Sequence, residues 1–460
     1  MDSPMHGLYL KSYRLLTVPG VLAVLLLTPV IARAQGGSMI PVPREVGVIA
    51  PDAQIENRNG FSGSILGYMG YDTNISYGSG DDSTAETQFE SAVPGLSMSL
   101  IPGIRYVSPQ LLESERTGGK VHYGFEIRGI YRQNYSPDKS GIYNDPRFGA
   151  HLGGVVIYSP SKMFTIQAYE MFDRYSEPHY MIRDTFTASW DQNQAGVLMR
   201  IVPGDGLLET VLRYNMNLYY FEDSELSSAN KMEHNIQARV SYKFLPNSHL
   251  WLTGSYDINQ YFENGGVRNS MPIKVAGGVS TPLWTSLALS LGGGYGWGFY
   301  ASGPAPDTWL AFAGIQYSMS ARLKLFFKYE HTFEDSLLGS YSDQNNFTFG
   351  ATMPFGQNLL FTAQGGYRHL VFASIAHAEA ANTENTRVDD IFFADLTLSY
   401  KIRKDLVLRA QYKFMTDQTP YRAATPPFPN PGPDFDFPLT IVNNPSFMKH
   451  ELYLTLAWYF

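Results

Sequence analysis

The residues able to do chemistry in this chain are poorly placed for it. No cysteine occurs, which removes disulfides, thiolate metal sites and cysteine nucleophiles together. A lipase or deacylase built on a barrel needs serine and histidine converging near one rim. No Gly-x-Ser-x-Gly elbow is present. The histidines His6, His122, His151, His179, His234, His249, His331, His369, His377 and His450 fall mostly on separate segments. Asp81 and Asp82, with Glu86 and Glu90, could approach a divalent cation, but a solvated acidic loop is the simpler account. No metal-ligand motif occurs. The expectation is a protein that is not an enzyme and carries no cofactor and no metal.

A second set of charges has a more regular spacing. Arg128, Arg132, Arg200, Arg213, Arg239 and Lys243 each share a parity with polar neighbours and oppose apolar residues. Lys274, Lys324, Lys328, Arg368, Arg409 and Lys413 do the same. Acidic residues of that parity are fewer, namely Glu126, Glu209, Asp257, Glu330, Asp395 and Glu451. Charges that alternate with apolar residues along a strand point into a lumen, where they tune ion selectivity. The alternative is cross-strand pairing that only holds the wall in register. The inward tyrosines Tyr219, Tyr453 and Tyr459 could contact a sugar, although lumen packing is the simpler role.

The elements that would position these charges are strands. From Gly60 onward, segments of roughly 10–15 residues alternate apolar with polar, as transmembrane barrel strands of about 10 residues do. Leu452, Leu454, Leu456, Trp458 and Phe460 share one parity, and Glu451, Tyr453, Thr455, Ala457 and Tyr459 the other. The segments around Ile236–Phe244, Leu287–Trp297, Leu323–Tyr329 and Leu406–Phe414 repeat the pattern. Outward Trp297, Trp309, Trp458, Tyr242 and Tyr412 suit a headgroup girdle. Tight connections at Ser159–Lys162, Pro203–Gly206, Pro246–Ser248, Pro282–Ser286, Ser320–Ala321, Gly356–Asn358 and Arg403–Lys404 alternate with long ones. The long ones include Gly78–Pro94, Ser136–Arg147, Ser224–Lys231 and Thr419–Pro445. This is a hairpin repeat with short periplasmic turns and long external loops. It predicts an all-β, antiparallel up-and-down transmembrane barrel of about 18 strands, or about 16 at the lower count. The strands run from Phe61–Tyr77 to Phe447–Phe460. The Pro-rich Thr425–Pro438 segment, in the longest loop, either folds into the mouth or projects outward.

Lys11 and Arg14, the apolar run Val21–Ile31 and Ala32-Arg33-Ala34 form an export signal over residues 1–34, cleaved after Ala34. An irregular periplasmic leader, 35–60, precedes the barrel, 61–460. A formal net charge of -8 argues against nucleic acid as a partner. The expected partners are outer-membrane lipid and a small hydrophilic solute or a polysaccharide.

The run Gly67-Tyr68-Met69-Gly70-Tyr71-Asp72-Thr73-Asn74-Ile75 and the Pro94-Gly95-Leu96 start of the next strand resemble the β-barrel porin type 2 outer-membrane proteins. The resemblance implies a barrel of the bacterial outer membrane, and some relatives accompany exopolysaccharide export. The C-terminal strand also resembles the outer-membrane assembly signal, with Leu454, Leu456, Trp458 and Phe460 as its apolar positions. That resemblance makes the barrel-assembly machinery a partner. The sequence therefore leads first to a porin-like channel for passive diffusion of small hydrophilic solutes, with a modest preference for anionic ones. An exopolysaccharide conduit and a structural or adhesive barrel are the rivals.

Removal of Phe460 should lower the amount of folded barrel in the outer membrane while leaving synthesis unchanged. Heat-modifiable electrophoretic mobility of the membrane fraction checks this.

Overall fold

The computed structural model describes residues 60–74, 94–108, 120–136, 146–175, 189–222, 227, 229–262, 268–320, 323–336, 340–373, 387–419 and 446–460. The export signal, the leader through residue 59, the acidic Asp81–Glu90 loop, Thr425–Pro438, His179 and His377 lie outside these residues.

Alternation becomes strand wherever the sequence carries it. The first strands are β1 (Gly60–Asp72), β2 (Gly95–Val107), β3 (Lys120–Tyr135), β4 (Arg147–Ser161), β5 (Phe164–Tyr175) and β6 (Trp190–Ile201). They are followed by β7 (Leu208–Phe221), β8 (Lys231–Leu245), β9 (Ser248–Tyr261), β10 (Ser270–Trp284), β11 (Leu287–Tyr300) and β12 (Asp307–Ser320). The last are β13 (Leu323–Asp335), β14 (Tyr341–Phe355), β15 (Leu359–Ala373), β16 (Arg387–Arg403), β17 (Leu406–Gln418) and β18 (Phe447–Tyr459). Each pairs antiparallel with the next in one 18-stranded sheet, and β18 returns to β1. The higher of the two expected strand counts is the one found.

The closing seam runs from Ser64 opposite Tyr459 to Asp72 opposite Glu451. Just beyond it, the Phe460 and Gly63 backbones exchange two hydrogen bonds of 3.0 and 2.7 Å. Closure leaves no open edge, and that is the condition for placing strands in hydrocarbon. The seven tight connections all lie at one end of the barrel, with the C-terminus. By the usual rule this is the periplasmic end.

The two parities separate as expected. Leu452 and Leu454 are about half exposed on the outside, while Tyr453 and Tyr459 are buried on the inside. Outside, on the loop half of the wall, tyrosine hydroxyls bond to a polar residue of the following strand. Tyr295 donates to Asp307 at 2.5 Å, Tyr329 to Asn345 at 3.0 Å and Tyr367 to Asp390 at 2.5 Å. Tyr214 meets His234, and Tyr412 meets His450, each at 2.8 Å. Such pairs suit the headgroup level, where a ring is half in hydrocarbon and its hydroxyl needs a partner.

Inward glycines are covered by aromatic rings of the adjacent strand. Tyr453 lies over Gly70, Phe326 over Gly350 and Phe393 over Gly366. A ring can lie flat on the wall only where no Cβ stands in its way, an arrangement that also fixes register. Outward Gly67, by contrast, has open space around it. Gly70→Val would drive a Cβ to 2.6 Å from the Leu452 carbonyl oxygen at the closing seam. It should destabilise the barrel by about 1–3 kcal/mol, the usual range for overpacking. Gly67→Val should be close to neutral. Urea unfolding of both variants in lipid vesicles checks the contrast.

Candidate functional site: the lumen wall and an inward-folded hairpin

The charges read as inward lie on the inner parity of their strands, and most meet a neighbour there. Arg128 pairs with Glu126, and Arg200 with Glu209 at 2.7 Å. Arg213 donates to Asn215 Oδ1 and to the Tyr169 hydroxyl, both at 3.1 Å. Arg409 donates to Ser399 Oγ at 3.0 Å. Lys413 stands in register between Asp395 and Glu451. Five others lie over rings: Arg132 over Tyr68, Arg239 over Trp251, Lys274 over Phe333, Lys328 over Phe326 and Arg368 over Phe393. Lys324 and Lys328 are exposed, Lys243 is half-buried, and none of these three has an ion-pair partner among the described residues. Tyr219, Tyr453 and Tyr459 are packed into the wall. On the outside, Leu454, Leu456, Trp458 and Phe460 form the exposed face of the last strand. The Phe460 ring also covers Gly63.

Several inward ionic groups escape the sequence reading because they sit at the loop ends of strands, where alternation runs into irregular sequence. Lys449 bridges Asp72 at 2.9 Å and Glu451 at 3.1 Å, tying β18 to β1. Arg387 holds Asp389 at 2.6 Å and lies 3.6 Å from Asp417. Lys231 contacts Glu233 at 2.5 Å. The loop half of the inner wall thus carries ion-paired acids beside the ring-stacked Arg132, Lys274 and Arg368, and is not a basic surface.

The largest departure from a plain barrel is the β13–β14 hairpin. Pairing of β12 with β13 stops at Ala311 opposite His331. Beyond that point β13 and β14 remain paired to each other, through Asp335 opposite Tyr341. Their shared end leans into the lumen. The parity that faces outward at Phe327 and Tyr329 thereby comes to rest on the inner face of β10–β12. Phe333 is fully buried in a cluster with Ala276 and Leu310, with Trp251, Phe312 and Tyr341 packed around it. Glycine makes room for it. Gly292, Gly294, Gly296 and Gly298 occupy successive inward positions of β11, and the Phe333 ring fills the place of a Cβ at Gly296.

The tip of the hairpin is fastened. Asp335 accepts hydrogen bonds from the Tyr261 hydroxyl at 2.7 Å and from Ser270 Oγ at 2.8 Å, and Lys231 lies 3.6 Å away. Asn259 donates to Ser270 Oγ at 2.8 Å, which leaves the serine proton for Asp335. Arg268 stacks on the Tyr261 ring and donates to the Ser336 carbonyl at 3.0 Å. One carboxylate therefore joins β13 to β8, β9 and β10. Sequence alternation cannot show this contact, because its partners are far apart in the chain. The run of glycines at every second position of β11 is the one signal that could have revealed it.

This arrangement can bind, filter and exclude. His151 Nδ1 meets Asp173 at 2.6 Å, two parts of a hydrolase triad, but no hydroxyl lies within hydrogen-bond distance of that imidazole among the described residues. Nor do three potential metal ligands converge among them. Asp335→Ala removes the acceptor for Tyr261 and Ser270, a loss of about 1–3 kcal/mol for buried hydrogen bonds. Residues 332–336 and 340–342 should then exchange their amides about 5- to 150-fold faster, by the conversion of 1.4 kcal/mol per decade, with the rest of the barrel unchanged. Hydrogen exchange with mass spectrometry reads this directly.

No curated protein matches the sequence. Among solved structures, OccK2 (OpdF) of Pseudomonas aeruginosa is 12% identical, with a TM-score of 0.44 over 87% of this chain and 97% of its own. OpdQ of the same organism is 12% identical, with a TM-score of 0.43 over 88% and 99%. The FrpB iron transporter of Neisseria meningitidis is 8% identical, with a TM-score of 0.47 over 88% and 82%. These likenesses are weak and say nothing of cargo. The family match lies in a different part of the chain from the first-strand motif that resembles the same family. Residues 206–423, from the turn before β7 to just past β17, match the family described as "Putative beta-barrel porin 2", and strands β7 to β17 of the closed 18-stranded sheet fall within that match.

Proposed function

We propose that the protein is a passive diffusion channel for small hydrophilic solutes and performs no chemistry. The observation that carries this reading is the inner wall, which is lined with ionised and hydrogen-bonding side chains in a barrel of 18 strands. Barrels of that size enclose a water-filled lumen wide enough for solutes. Hydrated wall charges filter what enters by size and sign. The latched hairpin favours small solutes over a polymer, because it lies across the β8–β12 side of the external mouth. Outer-membrane lipid surrounds the apolar face, and the assembly machinery reads the C-terminal strand.

Reconstituted in planar bilayers, the protein should give steady single-channel currents. Asp335→Ala, which frees the hairpin, should raise the unit conductance. Absence of current from both proteins, with the barrel shown to be folded, would turn the reading towards a structural barrel or a gated exporter.

A further inference from the structure

The cations and acids of the inner wall are not mixed evenly along the barrel axis. In the half nearest the short turns, Arg200, Arg213, Arg239 and Lys243 occupy neighbouring strands β6–β8, with Glu209 as their local acid. Lys324 and Lys328 stand in the same half of β13. Glu209 is taken up by Arg200 at 2.7 Å. Arg239, Lys243, Lys324 and Lys328 have no ion-pair partner within 4 Å among the described residues, although Glu330 shares the inner face of β13 with Lys328, and Arg239 Nε is buried without a hydrogen-bond acceptor. The loop half is different. There Asp72, Glu233, Asp335, Asp389, Asp417 and Glu451 are each held by a lysine or arginine.

Paired charges cancel within a few ångströms. Uncompensated ones project a field across a lumen whose low-dielectric wall focuses it. At physiological ionic strength that field reaches about 8 Å before screening. We propose that the periplasmic half of the lumen is an anion filter, and that Arg239, Lys243, Lys324 and Lys328 give the channel selectivity for small inorganic and organic anions such as phosphate and carboxylates. Arg239 is its most defined subsite. Its guanidinium lies 5.3 Å from the centre of the Trp251 ring, and no acidic side chain lies within 4 Å of it among the described residues. The loop half mixes both signs, with Asp257 and Glu334 held by amides and Arg132, Lys274 and Arg368 on rings, and so weights the sign of a solute less. The inference rests on the reading of the barrel as an open channel.

Two measurements on the full-length folded protein separate that reading from the filter. In planar bilayers with a KCl gradient, the reversal potential should show anion preference. Inorganic phosphate should block more strongly from the short-turn side than from the loop side. The combined variant Arg239→Gln, Lys243→Gln, Lys324→Gln and Lys328→Gln should lose both effects while still conducting. Current without anion preference in the parent protein, or preference retained in the combined variant, overturns the filter and leaves the channel standing. No current overturns the channel, and the filter is then judged by fluorescence in detergent. The Trp251 signal, taken as the difference between the parent and Trp251→Phe, should be quenched by iodide well beyond caesium. That excess should fall in Arg239→Gln. Equal quenching by the two ions, or an excess unchanged in Arg239→Gln, overturns the filter.

Discussion

Every part of this structure depends on the closing seam between β1 and β18. A backbone amide or carbonyl left bare in hydrocarbon costs several kcal/mol, so strands can enter a membrane only if the last pairs with the first. Here the seam is made by nine pairs in register from Ser64–Tyr459 to Asp72–Glu451, and by the reciprocal bonds of Phe460 with Gly63. Side chains reinforce it on both faces. Tyr453 fills the space over Gly70 inside, Phe460 covers Gly63, and Lys449 bridges Asp72 and Glu451. The first and last strands are thus specified together, although almost the whole chain separates them.

Closure fixes two faces, and each is solved by different chemistry. Outside, apolar residues meet lipid, and tyrosines find partners on the next strand at the headgroup level. Inside, the wall must be polar to hold water, and must also avoid stranding charge against a low-dielectric surface. Pairing meets that need in the loop half. The short-turn half leaves several cations without an acid in contact, and the proposed anion filter rests on that imbalance. The β13–β14 hairpin adds a third surface. Its former outer face becomes an inner lining, and the Phe333 cluster over Gly296 together with one carboxylate holds it there.

Much of this was legible in the sequence. A period of two is a direct record of which side chain faces which medium, so Leu452–Phe460 or Leu406–Phe414 reveal strand, parity and wall together. Turn spacing gave the strand number, and the higher count proved right once β1 and β2 were seen to begin at Gly60 and Gly95. The hairpin was not legible. It joins Asp335 to Tyr261, Ser270 and Lys231 through contacts that no periodicity encodes, whereas the composition of the Pro-rich Thr425–Pro438 segment makes that loop the conspicuous candidate for the mouth. The inward acids at strand ends were missed for a related reason, since Asp72, Asp389 and Asp417 lie where alternation gives way to loop. Four glycines at alternate positions on β11 stood in plain view, and their meaning came from the rings packed against two of them, Phe333 at Gly296 and Trp251 at Gly292.

The central claim is that this barrel encloses a hydrated path narrowed at its external mouth by a latched hairpin. Its most direct test is liposome swelling with uncharged sugars of increasing size, compared between the parent protein and Asp335→Ala. The account predicts that small sugars enter through both, and that the size limit rises when the hairpin is freed. Failure of the smallest sugar to enter through either protein, with the barrel shown to be folded and inserted, would contradict it.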